Sequence, residues 1–297
     1  MKILLLSVLL LFNAGLHPAG AAPASELSGD FKGPLGLQLY TFRESFKTNV
    51  VGTLDRIKAL GFVELEGGGD YGLGREKFQA LLNERGLKVV SAGFSYKSLH
   101  DDLAGSVKKA QDLGVKFAMC AWIDHDAKVG FTEADVRRAA ADFNKAGEAF
   151  KAAGITFTYD PHGYEFRPVK AGSADTHFDL LVKETKPEFV SFEMDVFWVT
   201  HPGQDPVGLL DRYPKRWVLM HLKDLRKGAA TGIHTGHALP TDDVPVGTGQ
   251  VNWPAVLKHA ADAGVKHFFI EDESLAPFES VPLSVKYLQS IKICDCE

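Results

Sequence analysis

Cysteine is scarce in this chain, with three residues in 297, too few for a disulfide framework. Cys120 sits inside an apolar run and reads as a core thiol. Cys294 and Cys296 form a C-x-C at the extreme tail, read as a feature of that tail rather than as a metal or redox motif. Positive charge is not in excess either: 33 lysines and arginines face 38 aspartates and glutamates, a net charge of −5. Neutralising phosphates requires clustered basic side chains, so nucleic acid is set aside as a main partner. No G-x-G-x-x-G follows the first strand pattern, which leaves a dinucleotide fold without support. The apolar run from Ile3 to Phe12 is too short to span a bilayer.

That short run has another reading. Lys2 precedes it and small residues ending Ala19-Gly20-Ala21 follow it, the charged, apolar and A-x-A pattern of an export signal. The expectation is cleavage after Ala21 and a periplasmic or secreted protein, with no membrane attachment after cleavage. Residues 1–21 are then the signal peptide, 22–34 a lead-in, 35–293 a single domain and 294–297 a tail. The remaining 297 − 21 = 276 residues suit one large domain.

A strand–helix rhythm fills that domain. GLQLY (36–40) reads as a strand and TLDRIKALG (53–61) as an amphipathic helix closed by Gly61. Further strands are expected in FVELE (62–66), LKVVSAGF (87–94), VKFAMCAWI (115–123), ITFTYDPH (155–162), FVSFEMDVFW (189–198), WVLMHLKDL (217–225) and VKHFFIEDE (265–273). A helical pattern follows each one, and Thr132 is placed to cap the helix after the fourth. Eight alternating units point to an α/β fold of the (β/α)8 TIM-barrel type. An open doubly wound sheet is the competing architecture. The long Gly/Thr/His-rich loop from Arg226 to Gln250 either covers the site or is a simple insertion.

In such a barrel, the C-terminal ends of the strands face the active-site mouth. Strand five ends in Asp160 and His162, strand six in Glu193 and Asp195, strand seven in His221 and Lys223, and strand eight in Glu271 and Glu273. Pairs at i and i+2 share one face of a strand. Buried carboxylates cost several kcal/mol unless compensated, and a metal ion is the usual compensation; an ion-pair network closing the barrel mouth is the other reading. Asp/His/Glu ligation without cysteine suits one divalent ion, Mn²⁺, Mg²⁺, Co²⁺ or Zn²⁺, without choosing among them.

Weaker signals surround these ends. Gln38 and Tyr40 end strand one on one face, suited to substrate hydrogen bonding or to packing. Glu64 and Glu66 share a face of strand two; Glu64 is a candidate substrate contact, and a buried glutamate there needs a partner. Trp122 and Trp198 are placed to stack on a sugar ring or to pack in the core. His201, His234 and His237 read as solvated loop residues, and Asp124, His125 and Asp126 as surface.

At these residues the chain resembles the xylose-isomerase-like barrel superfamily, the sugar phosphate isomerase/epimerase group. The likeness runs through GLQLYTFRE, the strand-two VEL, YDPHGYEF, FEMDVFW with DPVGLLDRYP, MHLKD, VGTGQVNW and GVKHFFIEDE. It implies a divalent metal held by a carboxylate after strand five, an Asp after strand six, a His after strand seven and a Glu after strand eight. Those positions are Asp160, Asp195, His221 and Glu271. Relatives carry Glu at the first of them, so the shorter Asp160 leaves His162 as the alternative ligand. Glu165 and Lys223 look like substrate-binding or proton-transfer groups. The DNA-repair branch needs extra histidines where this chain has Phe94, Trp122 and Trp198, and that reading falls.

The resemblance therefore implies a metal-dependent enzyme acting on a small-molecule sugar or oxidised sugar. The metal polarises a carbonyl, Glu271 or His162 removes the neighbouring proton, and a second group returns it. Isomerisation or epimerisation is the first expectation, and a lyase or dehydratase using the same site the alternative. A barrel that binds a carbohydrate without turnover is the reading from another class. A phosphorylated substrate is disfavoured by the expected export and by the lack of a Gly-rich phosphate nest. A homodimer is a candidate assembly.

Overall fold

A computed structural model describes residues 27–293; the expected signal peptide and the C-x-C tail fall outside them. Seven strands follow in order: β1 (Leu35–Gln38), β2 (Glu64–Glu66), β3 (Lys88–Gly93), β4 (Phe117–Cys120), β5 (Thr156–Tyr159), β6 (Val190–Asp195) and β7 (Trp217–Leu222). Next come two short strands, β8 (Asp224–Leu225) and β9 (Asp243–Val244), which pair antiparallel as a separate ribbon. β10 (His267–Ile270) then closes the barrel between β7 and β1. All eight barrel pairings are parallel.

The (β/α)8 expectation is met. A helix follows every barrel strand: Val50–Ala59, Arg75–Glu84, Leu103–Leu113, Glu133–Ala152, His177–Glu184, Pro206–Arg212, Trp253–Ala263 and Pro277–Ser290. Local sequence explains their ends. Thr132 and Asp135 form a reciprocal capping box at the start of the fourth of these helices, which satisfies two otherwise unpaired N–H groups. Gly61 follows the end of the first with φ of 85°, a conformation that costs glycine nothing.

The strands are shorter than their apolar runs because the polar residues at their ends leave the ladder. FVSFEMDVFW is the clearest case. Its strand stops at Asp195, whose Oδ1 accepts the N–H of Trp198 at 3.0 Å and starts the helix Val196–Thr200. One carboxylate oxygen is thus committed to the backbone, and the other is left for the barrel mouth. A separate apolar cluster of Val90, Phe117, Val218, Leu219 and Phe269 comes from β3, β4, β7 and β10.

Candidate metal centre

Strand register assembles the site. Asp195 on β6 lies opposite His221 on β7, and β10 runs beside β7 so that Glu271 follows directly past its end. Around Nδ1 of His221 stand Asp195 Oδ2 at 3.6 Å, Glu271 Oε2 at 3.6 Å and Asp160 Oδ2 at 3.7 Å. These separations are too long for hydrogen bonds. They match the spacing of atoms that share a cation with bonds of roughly 2.0–2.6 Å. Asp195, His221 and Glu271 each offer a ligand atom within 4.8 Å of the other two. His221 Nδ1 and Asp195 Oδ2 are buried without any hydrogen-bond partner. The four residues that the resemblance implied as ligands are therefore brought together; the unpaired His221 Nδ1 and Asp195 Oδ2 fit a divalent ion, while Glu271 Oε2 is shared with Lys223.

The other side of the imidazole is held from below. Glu66 Oε1 lies 2.6 Å from His221 Nε2, and Glu193 Oε1 lies 3.2 Å from the same atom. Gln38 Nε2 donates to Glu66 Oε1 at 2.7 Å. A carboxylate can only accept, so Nε2 carries a proton, and Nδ1 becomes the free coordinating nitrogen once its own proton leaves. Glu66 and Glu193 are fully buried. Glu193 retains two unpaired oxygens, and burial pushes its carboxyl up to about 8.

Electrostatics describe a centre with surplus negative charge. Burial drives Asp160 well above the usual carboxylate range. Burial opposes charge on His221 too, yet the Glu193 and Glu271 carboxylates raise its imidazole well above the ordinary value. A cation held here would have to displace a proton from Nδ1. Asp195 also resists burial and stays below the usual range, because Lys223 and His221 favour its charged form.

Lys223 is the resident counter-ion. It is buried, lies 3.1 Å from Glu271 Oε2 and 3.8 Å from Asp195 Oδ2, and binds Glu273. Those carboxylates outweigh its burial and hold its ammonium well above the ordinary lysine value. It keeps its proton, so it suits charge balance and hydrogen-bond donation rather than proton removal.

Above the centre opens a pocket of about 420 Å³ lined by Gln38, Tyr40, Trp122, Asp160, His162, Trp198, His221, His237, Glu271 and Glu273 among others. His162 stands between the two tryptophans, 5.6 Å from Trp198 and 6.1 Å from Trp122 between ring centroids. Its Nδ1 lies 3.2 Å from the carbonyl oxygen of Asp160. A carbonyl only accepts, so that nitrogen donates and Nε2 keeps its lone pair. Burial lowers the pKa of this imidazole and favours the neutral form.

Two candidate substrate contacts lie elsewhere. Glu64 sits at the start of β2, near the other end of the barrel, with Oε2 2.6 Å from Nδ1 of His267. Glu165 is buried behind β5, where it accepts from the hydroxyl of Tyr159 and the N–H of His162. It supports the loop that carries His162 and does not line the pocket. Gln38 does line it, with its amide turned to Glu66. Glu66 itself is the stronger member of the strand-two pair, and its only sequence signal is that a buried glutamate there requires a partner. His237 is exposed, as read, yet stands at the pocket edge. His201 is buried beside Phe197 rather than solvated.

The long loop after β7 reaches this pocket and is not a free insertion. Asp224 accepts from Gly247 N, Gly249 N, Val251 N and Trp253 Nε1 at 2.8–3.2 Å. The loop therefore returns to its starting point as a strap, and Gly236 and His237 near its middle lie beside Trp122.

A closed parallel barrel whose strand ends gather acidic side chains around one histidine defines the class of protein. A model of the xylose isomerase-like TIM barrel family matches residues 54–291, and the chain belongs to that family. A sugar phosphate isomerase/epimerase from Parabacteroides distasonis is similar in structure, with a TM-score of 0.70 at 26% identity, over 91% of this chain and 98% of that one. An inosose dehydratase from Lacticaseibacillus casei is 25% identical over 267 residues, 80% of this chain and 88% of its own. A xylose isomerase-like TIM barrel protein from Mycobacterium smegmatis in complex with magnesium shares the fold, with a TM-score of 0.63 at 14% identity, over 90% of this chain and 97% of that one.

Proposed function

We propose that this protein is a divalent-metal-dependent isomerase or epimerase of a keto-sugar, acting outside the cytoplasm after export. The observation that carries the reading is the set of three carboxylate oxygens at 3.6–3.7 Å around one histidine nitrogen. Asp160, Asp195, His221 and Glu271 would hold the ion. When bound, a divalent ion polarises a carbonyl and makes the neighbouring C–H acidic.

The chain's own residues supply the remainder. His162 Nε2 is free and neutral and accepts the carbon-bound proton. Glu271 is less available for that task, because Lys223 already engages its Oε2. Trp122 and Trp198 flank His162 and line the pocket beside it, an apolar border for a sugar ring. Glu66 fixes the orientation of His221 from below. A second reading, elimination of water from an oxidised cyclic polyol, starts with the same proton removal. The inosose dehydratase relatives favour it.

The test compares the parent protein with the Asp195→Ala, His221→Ala double variant. Elemental analysis is expected to find a divalent ion in the parent and almost none in the variant. In ²H₂O, a panel of D-fructose, D-tagatose and inosose is expected to give carbon-bound deuterium with the parent. Loss of the centre removes several kcal/mol of stabilisation, roughly a thousandfold or more in rate. An isomeric product supports the first reading and loss of water the second. A parent that takes up none of Mn²⁺, Co²⁺, Mg²⁺ or Zn²⁺ would sink both.

A further inference from the structure

We propose that His237 is a second catalytic imidazole of this pocket, the group that delivers a proton after His162 has taken one. The proposal rests on the proton-transfer reading above and adds the residue that the second half of such a reaction needs.

The strap places His237 by construction. Arg226 holds Asp242 by an ion pair at 2.7 Å and by a backbone bond at 2.8 Å near the two ends of the loop. Gly232 N donates to His201 O at 2.9 Å on the way out, and Asp224 gathers the return. At the far point, Gly236 adopts φ of 71° with its α-carbon against Trp122 and Tyr164. A β-carbon there would stand 2.7 Å from the Trp122 ring and 3.0 Å from Tyr164, so only glycine lets the strap approach this closely. The next residue's imidazole then lies 5.9 Å from the Trp122 ring, inclined by 35°.

His162 and His237 therefore flank the same indole, and both line the pocket that contains Asp160, His221 and Glu271. The two imidazoles differ in a useful way. His162 is enclosed, with one nitrogen committed to the Asp160 carbonyl. His237 is exposed, and its ring makes no hydrogen bond among the described residues, so both nitrogens are free to meet substrate and to exchange protons with water.

The steps balance. The carbon-bound proton passes to His162 Nε2, and its bonding pair becomes the carbon–carbon double bond as the carbonyl oxygen gains negative charge. His237, entering protonated, gives its proton to carbon, on the neighbouring atom for isomerisation or on the opposite face for epimerisation. In isomerisation the hydroxyl proton moves to the former carbonyl oxygen. In elimination His237 protonates the departing hydroxyl instead, which leaves as water. His162 then loses a proton to solvent and His237 regains one, so none is consumed overall.

The test uses His237→Ala and His237→Gln with the same sugar panel in ²H₂O, scoring carbon–deuterium exchange separately from product. Expected is a fall in product formation of roughly a hundredfold or more, with exchange into recovered substrate retained. Gly236→Val, which pushes the strap off Trp122, is expected to repeat that split, with a lowered melting temperature because valine is strained at φ of 71°. Calorimetric Kd values for the sugars on chelator-treated protein are expected to match the parent. Product formation within about twofold of the parent, loss of exchange together with product, or a weakened Kd with turnover intact would each overturn the assignment. A parent that exchanges no deuterium overturns the proposed function itself, a result distinct from any of these.

Discussion

Two glutamate–histidine pairs tie β2 across the barrel interior to β7 and β10, which are not its ladder neighbours, and they could hardly be more alike locally. Glu66 meets His221 at 2.6 Å near the mouth, and Glu64 meets His267 at 2.6 Å near the opposite end. Their surroundings differ completely. The lower pair is partly exposed, with side chains 22% and 11% accessible, and the His267 ring lies against Phe117 and Phe269. Its histidine stabilises the glutamate's charge and lowers its pKa, and neither residue leaves a buried atom unpaired. The upper pair is sealed, and three further carboxylates crowd the far nitrogen of its histidine without bonding to it. The lower pair is complete in itself, whereas the upper one is half of an arrangement with an open coordination position. A short Glu–His contact therefore says little about function; the unpaired atoms beyond it carry the information.

The comparison can be broken by removing each glutamate in turn. Glu66→Ala is expected to have the largest effect, lowering metal affinity roughly 10–100-fold by releasing the orientation of His221. Titration of Mn²⁺ or Zn²⁺ into chelator-treated protein checks this. Unchanged affinity would mean that Glu66 serves only the fold.

A third glutamate sharpens the contrast, because its hydrogen-bond partners among the described residues are neutral. Glu165 is held by a tyrosine hydroxyl and a backbone N–H, and burial pushes its carboxyl up to about 7. Between its ordinary value and about 7 the folded state binds this proton more tightly than the unfolded state does. The stabilisation is therefore present in full at acid pH and is lost as pH rises through about 7. Glu165→Gln is expected to flatten the decline in stability over that window by up to a few kcal/mol. Denaturant unfolding of metal-free protein at a series of pH values reads it, and an unaltered slope would refute it.

The smallest effect belongs to the lower pair. Glu64→Gln is expected to cost about 1 kcal/mol or less and to leave metal content and deuterium exchange as in the parent. A loss of bound metal would show that the two ends of the barrel are coupled.

Much of the fold was legible in the chain. The recurring helix–glycine–strand rhythm announces eight units, and four apolar runs ending in Asp, His or Glu announce the chemistry at one end. Local capping was legible at Thr132. The strand limits were less so, since Asp195 ends β6 by capping the next turn, and an apolar run does not reveal where its ladder stops.

Depth was not legible at all. Alternation along a strand assigns Glu64 and Glu66 to one face, but residues two apart are separated by roughly 6–7 Å along the strand. That distance carries one to the candidate metal centre and the other toward the opposite opening. The same limit hid Glu165, whose position three residues past His162 does not disclose that it turns back behind β5. It also hid the strap, because twenty-five residues of polar loop carry no periodicity, and their course depends on Asp224 collecting donors from Gly247 to Trp253. By itself, then, the sequence determined the barrel and which strand ends are polar, since periodicity and residue type act locally. Only the tertiary structure decided which of those polar groups share one nitrogen and which stand alone, because closing the barrel sets the distances between strands far apart in the chain.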